Sequence, residues 1–216
     1  MRLRAAEVTP EVESYMEGLL APRPPVLARI EGEAQRESAP GSIGPHVGRL
    51  MALLLRMNGC RDALELGTAT GYSAIWLALG SSGRVTTLER DPAWAERARA
   101  NLAEAGLAGR AEVVEEEAIA YLERRTEPAD AIFNDLLTSF PDEATVERCL
   151  ELSLARLRPG GLLLADNALN RGHVVAPDTR QARNIDRYNR LVAANPDLES
   201  LIIPIRDGFS VARRAV

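Results

Sequence analysis

The pattern of apolar positions alternates between two spacings along most of the chain. Short, nearly continuous apolar runs are separated by longer segments in which apolar residues recur every three or four positions. The first spacing is typical of buried strands and the second of amphipathic helices. Their alternation predicts a mostly parallel sheet with helices on both faces, an α/β fold. The predicted strands are 62–66, 85–89, 111–115, 129–134 and 162–165, and the predicted helices between them are 72–79, 92–105, 118–125 and 143–157.

The N-terminal part also has helical spacing. This spacing extends from 9 to 35, but the prolines within 22–25 must interrupt it, because proline lacks a backbone donor and clashes with the preceding turn. Two short helices are therefore predicted, and a third helix is predicted around the apolar residues of 47–55.

The C-terminal part predicts one more helix and a closing pair of strands. The helix covers 179–194, and the strands 198–204 and 208–213 form an antiparallel pair around Arg206 and Asp207. A turn is predicted at 159–161, where proline precedes two glycines.

The length and composition fit one globular domain. A chain of 216 residues can bury a sizeable core, so we expect a single domain, 1–216, with an N-terminal helical segment, 1–40, and an α/β core, 41–216. Hydrophobic residues make up 46% of the chain and charged residues 26%, which is ordinary for a soluble protein. No apolar run is long enough to cross a bilayer, and residues 1–7 lack the apolar segment of a secretory signal, so the cytoplasm is the expected location.

Net charge and cysteine content bear on whether the protein binds nucleic acid or a metal through cysteines. The net charge of −5 gives no bulk attraction to nucleic acid, although an acidic enzyme can bind RNA through a local basic patch. Cys60 and Cys149 have no metal-type spacing and are expected in the core, as are Trp76 and Trp94 on apolar helix faces.

A glycine turn follows the first predicted strand. Gly67 and Gly71 can turn sharply and let the backbone approach a ligand, and Glu89 follows at about 20 residues, where an α/β fold presents a carboxylate to ribose hydroxyls. The glycines do not form the pattern of a pyrophosphate site, and Glu65 would favour a positively charged cofactor, so the turn indicates a sulfonium nucleoside rather than a dinucleotide. The alternative is an ordinary turn between a strand and a helix with a glycine cap.

Polar residues follow two later strands. Asp135 comes after the strand 129–134, and Asp166 and Asn167 come after the strand 162–165. In a doubly wound sheet these strand ends open into one crevice beside the glycine turn. Two carboxylates and an amide carbonyl suit Mg²⁺, Mn²⁺ or Ca²⁺ rather than zinc. The alternative is that the two aspartates cap loops or helices.

These motifs together resemble the cation-dependent O-methyltransferases, a group that includes the catechol and caffeoyl-CoA types. The resemblance runs from about Thr9 to the C-terminus and implies a Rossmann-like class I methyltransferase fold with a central, mostly parallel seven-stranded sheet and extra N-terminal helices. It also implies S-adenosyl-L-methionine, a Mg²⁺-type ion and a homodimer. The segments that carry it are 64–73, 88–91, 158–161 and 164–167.

The resemblance also implies roles for individual residues. Glu89 would hold the ribose hydroxyls, Glu117 and Ala118 would flank the adenine, and the loop around Ile43 would reach the methionine part of the cofactor. Metal ligands would be Asp135, Asp166 and Asn167. The complete cofactor set implied in this way is Ile43, Glu65, Gly67, Thr68, Gly71, Tyr72, Ser73, Glu89, Arg90, Glu117, Ala118 and Asp135.

One branch of the family, the bacterial methyltransferases of 5-hydroxyuridine in tRNA, is similar at both ends of the chain. The segments are 19–24, 185–189 and 203–208. Four arginines also recur along the helix 179–194, as either a solvated face or a patch for an anionic substrate. They are Arg180, Arg183, Arg187 and Arg190.

The chain departs from the family pattern at one position. Family members usually carry a lysine base three residues after the first metal aspartate, and Thr138 stands there. Either proton removal then falls to Asp135, to a water held by the cation or to His173, or activity is reduced. A solvated loop position is the favoured interpretation of both His173 and His46, and more strongly of His46. The predicted function is metal-dependent O-methylation of a small catechol-like or phenolic acceptor. The alternatives are tRNA hydroxyuridine methylation and non-catalytic binding of S-adenosylmethionine.

Overall fold

The computed structural model describes residues 8–36 and 40–216, and the segment 1–7, on which the expectation about a secretory signal rests, lies outside the described residues. The strands are β1 (Ala63–Leu66), β2 (Val85–Glu89), β3 (Ala111–Glu115), β4 (Ala129–Asn134), β5 (Leu157–Ala165), β6 (Leu198–Ile203) and β7 (Phe209–Arg214). The helices are α1 (Pro10–Gly18), α2 (Pro25–Arg36), α3 (Gly44–Met57), α4 (Tyr72–Gly80), α5 (Pro92–Glu104), α6 (Ala118–Arg124), α7 (Glu143–Arg156) and α8 (Arg180–Ala194).

The strands form one seven-stranded sheet in the order β3-β2-β1-β4-β5-β7-β6. Strands β1 to β5 are parallel, and β7 is antiparallel to both β5 and β6. Strand β1 pairs with β2 on one side and β4 on the other, so the winding reverses there and a crevice opens at their carboxyl ends. The predicted α/β, Rossmann-like fold with seven strands is confirmed.

The turn predicted at 159–161 is part of β5 instead. Ala129 pairs with Leu157, but Ala131 pairs with Leu162, so the partner strand skips residues between the two pairs. Gly160 has a φ of +73°, the left-handed backbone that a β-bulge uses and that glycine adopts without strain. The proline and glycines that predicted a turn at 159–161 therefore form a bulge inside a longer strand.

Apolar side chains pack on both faces of the sheet. Helices α3, α4 and α5 cover one face with residues such as Val47, Met51 and Trp76, and helix α2 packs on the same cluster through Leu27. Helices α6, α7 and α8 cover the other face, where Cys149 lies in the core. Each of the two cysteine thiols is buried, as expected, and burial raises its pKa to about 12.

The N-terminal helices are separated at the proline-rich segment, as predicted. The Thr9 hydroxyl accepts a hydrogen bond from the amide of Val12, which caps α1, and α2 begins at Pro25 after the proline-rich break. Across the described ranges, 8–36 and 40–216, no helix combines the length and apolar character needed to span a membrane.

Candidate functional site

A cavity of 1310 Å³ opens at the carboxyl ends of the parallel strands. The residues that follow each of these strands contribute to its wall, from Gly67 after β1 to Asp135 after β4 and Asp166 after β5. Parallel strands end at the same edge of the sheet, so polar residues that are far apart in sequence meet here. The cavity is large enough for a nucleoside cofactor together with a small acceptor.

The loop between β1 and α4 forms one side of the cavity. Gly67 has a φ of +94°, and a Cβ at this position would lie 2.8 Å from the Leu136 side chain. Gly71, at +78°, would place a Cβ 3.2 Å from Ala98. Both positions therefore require glycine for backbone conformation and for space.

The Glu89 carboxylate joins this loop to the end of β2. Its Oε2 accepts a hydrogen bond from the Ala69 amide at 2.8 Å, and its Oε1 accepts one from the Asp91 amide at 2.9 Å. Each oxygen keeps a further lone pair, and Glu89 lines the cavity. The carboxylate is thus fixed in position while it stays available to a ligand hydroxyl.

Glu65 lies behind the loop in a buried polar network. Its side chain has no exposed surface and accepts a hydrogen bond from the Thr87 hydroxyl, which is also paired with the Thr68 hydroxyl at 2.5 Å. Desolvation raises the pKa of Glu65 to about 7, while hydrogen bonds from Ser73 and Thr87 lower it by less. A positive charge in the cavity would stabilise the ionised form.

Tyr72 points away from the cavity. Its hydroxyl donates a hydrogen bond to Glu31 Oε1 at 2.6 Å, and Glu31 also forms an ion pair with Arg23 at 2.6 Å. Tyr72 therefore anchors α2 to the start of α4 rather than lining the cavity. The other predicted cofactor residues that do not line the cavity are Glu65, Thr68, Gly71 and Ser73, and those that do line it are Ile43, Gly67, Glu89, Arg90, Glu117, Ala118 and Asp135.

Trp94 also lines the cavity, although its place on an apolar helix face predicted a core position. It lies at the start of α5, directly after the end of β2, and the guanidinium of Arg97 lies 5.6 Å from its ring centre. The proximity of Trp94 to Glu89 in sequence is the signal that could have indicated its position. Trp76, in contrast, is fully buried as expected.

Asp135 and Asp166 meet where β4 and β5 end side by side. The amide of Asp166 donates to the Asn134 carbonyl, and the amide of Asp135 donates to the Leu66 carbonyl. Desolvation of the carboxyl group, followed by repulsion from Asp166 and Glu65, raises the pKa of Asp135 well above its usual value. Burial raises the pKa of Asp166 to about 6.

Oxygen atoms of Asp166 and Asn167 are available to bind a cation. Asp166 Oδ1 is buried without a hydrogen-bond partner, and the amide nitrogen of Asn167 contacts Asp207 Oδ2 at 3.4 Å, which leaves the Asn167 carbonyl oxygen available. Within the described residues no three His, Cys, Asp or Glu side chains form a metal cluster, so the candidate set is two carboxylates and one amide. These hard oxygen donors, together with mutual repulsion of the carboxylates, fit a divalent cation such as Mg²⁺.

The remaining wall of the cavity comes from loops after β4, β5 and β6. Thr138 lines it, as does His173 in a short 3-10 helix at Asn170–Val175 that the sequence did not predict. His46 does not line it. The region also contains two exposed arginines, Arg171 and Arg206.

Three of the four arginines of α8 have local partners. Arg187 pairs with Glu147 and Arg190 with Asp186, each at 2.8 Å, and Arg183 donates to the Asp178 carbonyl. Such contacts are typical of a solvated helix face, the first of the two alternatives open from the sequence.

Comparisons with known proteins agree with this geometry. A catechol O-methyltransferase from Niastella koreensis is 30% identical over 220 residues, covering 95% of this chain and 97% of that protein. A catechol O-methyltransferase from Mycobacterium tuberculosis is 30% identical over 94% of each chain. The crystal structure of an O-methyltransferase from Bacillus cereus in complex with SAH superimposes with a TM-score of 0.83 at 31% identity, covering 94% of this chain and 97% of that chain.

The family model described as O-methyltransferase matches residues 22–215. It therefore includes α2 and α3 as well as the whole sheet. The resemblance drawn from the sequence motifs is confirmed, and the chain belongs to the O-methyltransferase family.

Proposed function

We propose that this enzyme transfers the methyl group of S-adenosyl-L-methionine to one hydroxyl of a small, catechol-like phenol, with a divalent cation bound beside the acceptor. The observation that carries the proposal is one cavity lined by both the glycine loop with Glu89 and the carboxyl pair of Asp135 and Asp166. The first group suits a nucleoside cofactor and the second suits a cation that holds oxygen ligands. Cofactor and acceptor would then meet at this end of the sheet.

The cofactor would extend along the loop ends of β1, β2 and β3. Glu89 would accept hydrogen bonds from the ribose hydroxyls, because both of its oxygens are fixed by backbone amides. Glu117, which caps α6, and Ala118 would border the adenine. The buried carboxyl of Glu65 would favour the positively charged methionine end, and Thr68, Gly71, Tyr72 and Ser73 would support this end from behind the loop.

A divalent cation would be held by Asp135, Asp166 and Asn167. When bound, it would lower the pKa of an acceptor hydroxyl and orient the hydroxyl oxygen. The chain itself brings the two halves of the site together: a Cβ at Gly67 would lie 3.6 Å from the Asp135 carbonyl oxygen, so the glycine loop and the proposed cation ligands are adjacent in the cavity wall. The acceptor oxygen would approach the methyl group there.

The Thr138 hydroxyl is too weak a base to take the acceptor proton near neutral pH, so another group must take it. Asp135 lies beside the proposed cation, and His173 lines the acceptor side of the cavity. Histidine is the side chain best suited to exchange a proton near neutral pH. We assign proton transfer to these two residues.

We also propose a cytoplasmic homodimer. Helix α1 has no buried residue, and its surroundings expose Tyr15 at 67% and Leu19 at 68%, a surface that a second copy could cover. Sedimentation of the purified chain with and without Tyr15→Ser would test this. A single monomeric species for the unmodified chain would contradict the dimer.

The test of the activity is a methyl-transfer assay on three acceptors: catechol, 3,4-dihydroxybenzoate and bulk tRNA. We expect transfer to a vicinal diol, no transfer to tRNA, and loss of transfer after chelation with recovery on addition of Mg²⁺. Full activity after chelation would contradict the cation. Exclusive transfer to tRNA would establish the nucleic-acid alternative, and no transfer to any acceptor would favour a binding protein.

A further inference from the structure

Two arginines lie in the part of the cavity formed by the loops after β4, β5 and β6, which we call the acceptor half, and neither guanidinium has a partner of its own. Arg171 and Arg206 both line the cavity and are exposed. Among the residues that the structure describes, neither guanidinium forms a hydrogen bond or an ion pair, whereas Arg183, Arg187 and Arg190 on α8 each form one. Arginine is a rigid, two-pronged donor that matches a carboxylate, so two unpaired arginines in one cavity indicate an anionic ligand.

The backbone at both arginines is in a conformation that glycine favours. Arg171 has a φ of +52° and Arg206 of +50°. In the described ranges the other non-glycine residues with positive φ are Ala69, Asn167 and Asn170, and all of them line the cavity. Such conformations cost about 1 kcal/mol or more each and persist mainly at functional sites. A large side chain at a glycine-like position indicates that the side chain itself has a role.

The two arginine loops are held against each other. Asp207 accepts a hydrogen bond from the Arg171 amide at Oδ1, and its backbone carbonyl accepts one from the Leu169 amide at 2.8 Å. The Gly208 carbonyl accepts another from the Ala168 amide at 2.9 Å. Both arginines are therefore fixed on the same side of the cavity.

The Arg206 guanidinium lies against Gly44 and close enough to Asp166 to act on its charge. A Cβ at Gly44 would lie 2.5 Å from the Arg206 Nη1 atom, so the guanidinium covers the start of α3. Its charge also reaches Asp166, where it lowers the pKa of that carboxyl against the larger effect of burial. An acceptor held near Asp166 would lie within reach of this guanidinium.

The charges of the acceptor half leave room for an anion. Asp135, Asp166 and Asp207 carry three negative charges, and Arg171 and Arg206 carry two positive ones. A divalent cation would turn this into an excess of one positive charge, because the ionised Glu65 carboxyl would balance the sulfonium of the cofactor. An ionised acceptor hydroxyl would balance that charge, and a carboxylate on the acceptor would pair with the arginines themselves.

We propose that the acceptor is a carboxylate-bearing vicinal diol whose carboxylate is bound by Arg206 and Arg171. This rests on the proposed function, since it names the acceptor class for the same cavity. The two arginines are binding residues that discriminate among catechols by charge, and they take no part in the proton transfer.

The test compares two acceptors of the same shape, 3,4-dihydroxybenzoate and its neutral amide, 3,4-dihydroxybenzamide. We expect Arg206→Gln and Arg171→Gln each to lower kcat/KM for the benzoate by about tenfold or more, because a charged hydrogen bond is lost, and to change the amide by less than about threefold. Arg213→Gln, an exposed arginine on β7 that does not line the cavity, removes the same charge and serves as the control. Arg206→Gly relieves the backbone strain, so a folded variant is available at this position.

Equilibrium binding gives a second readout. Calorimetric titration of benzoate and amide into the complex with SAH and Mg²⁺ should show the same selective loss without any turnover. Equal effects of the arginine variants on both acceptors would overturn the proposal while the methyltransferase function stands. A loss of SAH affinity instead would also overturn it, since Arg206 would then bind the cofactor carboxylate. Binding that is selectively weakened for the benzoate, with no methyl transfer to either acceptor, would support the proposed acceptor class and contradict only the proposed activity.

Discussion

Glu65→Gln should make the cofactor-free protein less sensitive to alkaline pH. Glu65 is fully buried, and burial raises its pKa from 4.5 to about 7. Ionising it above pH 7 therefore costs the folded state about 3 kcal/mol relative to the unfolded chain, in which the carboxyl titrates normally. The folded state holds the proton more tightly, so the stability contributed by this group is complete below pH 4.5 and is lost as the pH rises through 7.

Glutamine is neutral at every pH and nearly the same shape. At pH 5 the variant should differ little from the parent protein, and at pH 8 it should be more stable by up to about 3 kcal/mol. The assay is urea unfolding of both proteins, free of cofactor, at half-unit steps between pH 5 and 8. Asp135 and Asp166 also have raised pKa values, mainly through burial, and that part is common to both proteins. Glu65→Gln also removes the repulsion that Glu65 exerts on Asp135, the smallest of the causes that raise the pKa of Asp135, so the measured difference is the effect of Glu65 together with this coupling.

Cofactor binding should reverse this advantage. If the positively charged end of the cofactor lies near Glu65, the ionised carboxylate becomes favourable, and Glu65→Gln should weaken S-adenosylmethionine binding at pH 8. Parallel stability profiles for the two proteins between pH 5 and 8 would refute the reasoning. So would a variant that is less stable than the parent at pH 8 and equal to it at pH 5.

Two further changes test the packing that supports the site. Gly48→Ala should cost about 1–3 kcal/mol of unfolding free energy, because the new Cβ would lie 2.3 Å from the Trp76 ring. Gly18→Ala is the control, since a Cβ at Gly18 would meet nothing within 4 Å. Equal denaturation midpoints for the two variants would contradict this expectation. Tyr72→Phe should lose the hydrogen bond to Glu31 and cost about 1–3 kcal/mol of unfolding free energy, with faster proteolysis of the N-terminal helices. Undiminished stability would show that this contact is not maintained.

The sequence predicted the parts of the site that depend on strand ends. Gly67, Glu89, Asp135 and Asp166 each follow or end a parallel strand, and parallel strands must end together, so the convergence follows from the order of elements. The fold class was predictable for the same reason, because alternating periodicity leaves few ways to bury all the apolar runs.

Side-chain direction within the motifs was not predictable. Tyr72 and Ser73 are adjacent to the glycine loop in sequence, yet the start of α4 directs Tyr72 toward Glu31 on α2, and Ser73 is buried. That outcome depends on how α2 packs on the core, which no local pattern encodes. The roles of both residues toward the cofactor stay predictions.

The loops of the acceptor half were also beyond sequence reasoning. The left-handed backbone at Arg171 and Arg206 depends on hydrogen bonds between two loops that are distant in sequence, such as that between Arg171 and Asp207, which are 36 residues apart. A propensity argument would place glycine or asparagine there, not arginine. The bulge at Gly160 escaped detection because proline and glycine mark a turn and a bulge alike.

In the proposed mechanism, the carboxyl pair of Asp135 and Asp166 holds a cation for methyl transfer to the acceptor. The most direct measurement is the Mg²⁺ dependence of methyl transfer to 3,4-dihydroxybenzoate by the parent protein, by Asp166→Asn and by Asp178→Asn, an exposed aspartate outside the cavity. We predict that Asp166→Asn raises the Mg²⁺ concentration for half-maximal activity by about 100-fold or more, because even the loss of a residue that only supports a metal ligand lowers metal affinity by about 10–100-fold. The affinity of Asp166→Asn for SAH should be unchanged. Asp178→Asn should have the same Mg²⁺ requirement as the parent protein. An unchanged Mg²⁺ requirement in Asp166→Asn would contradict the account.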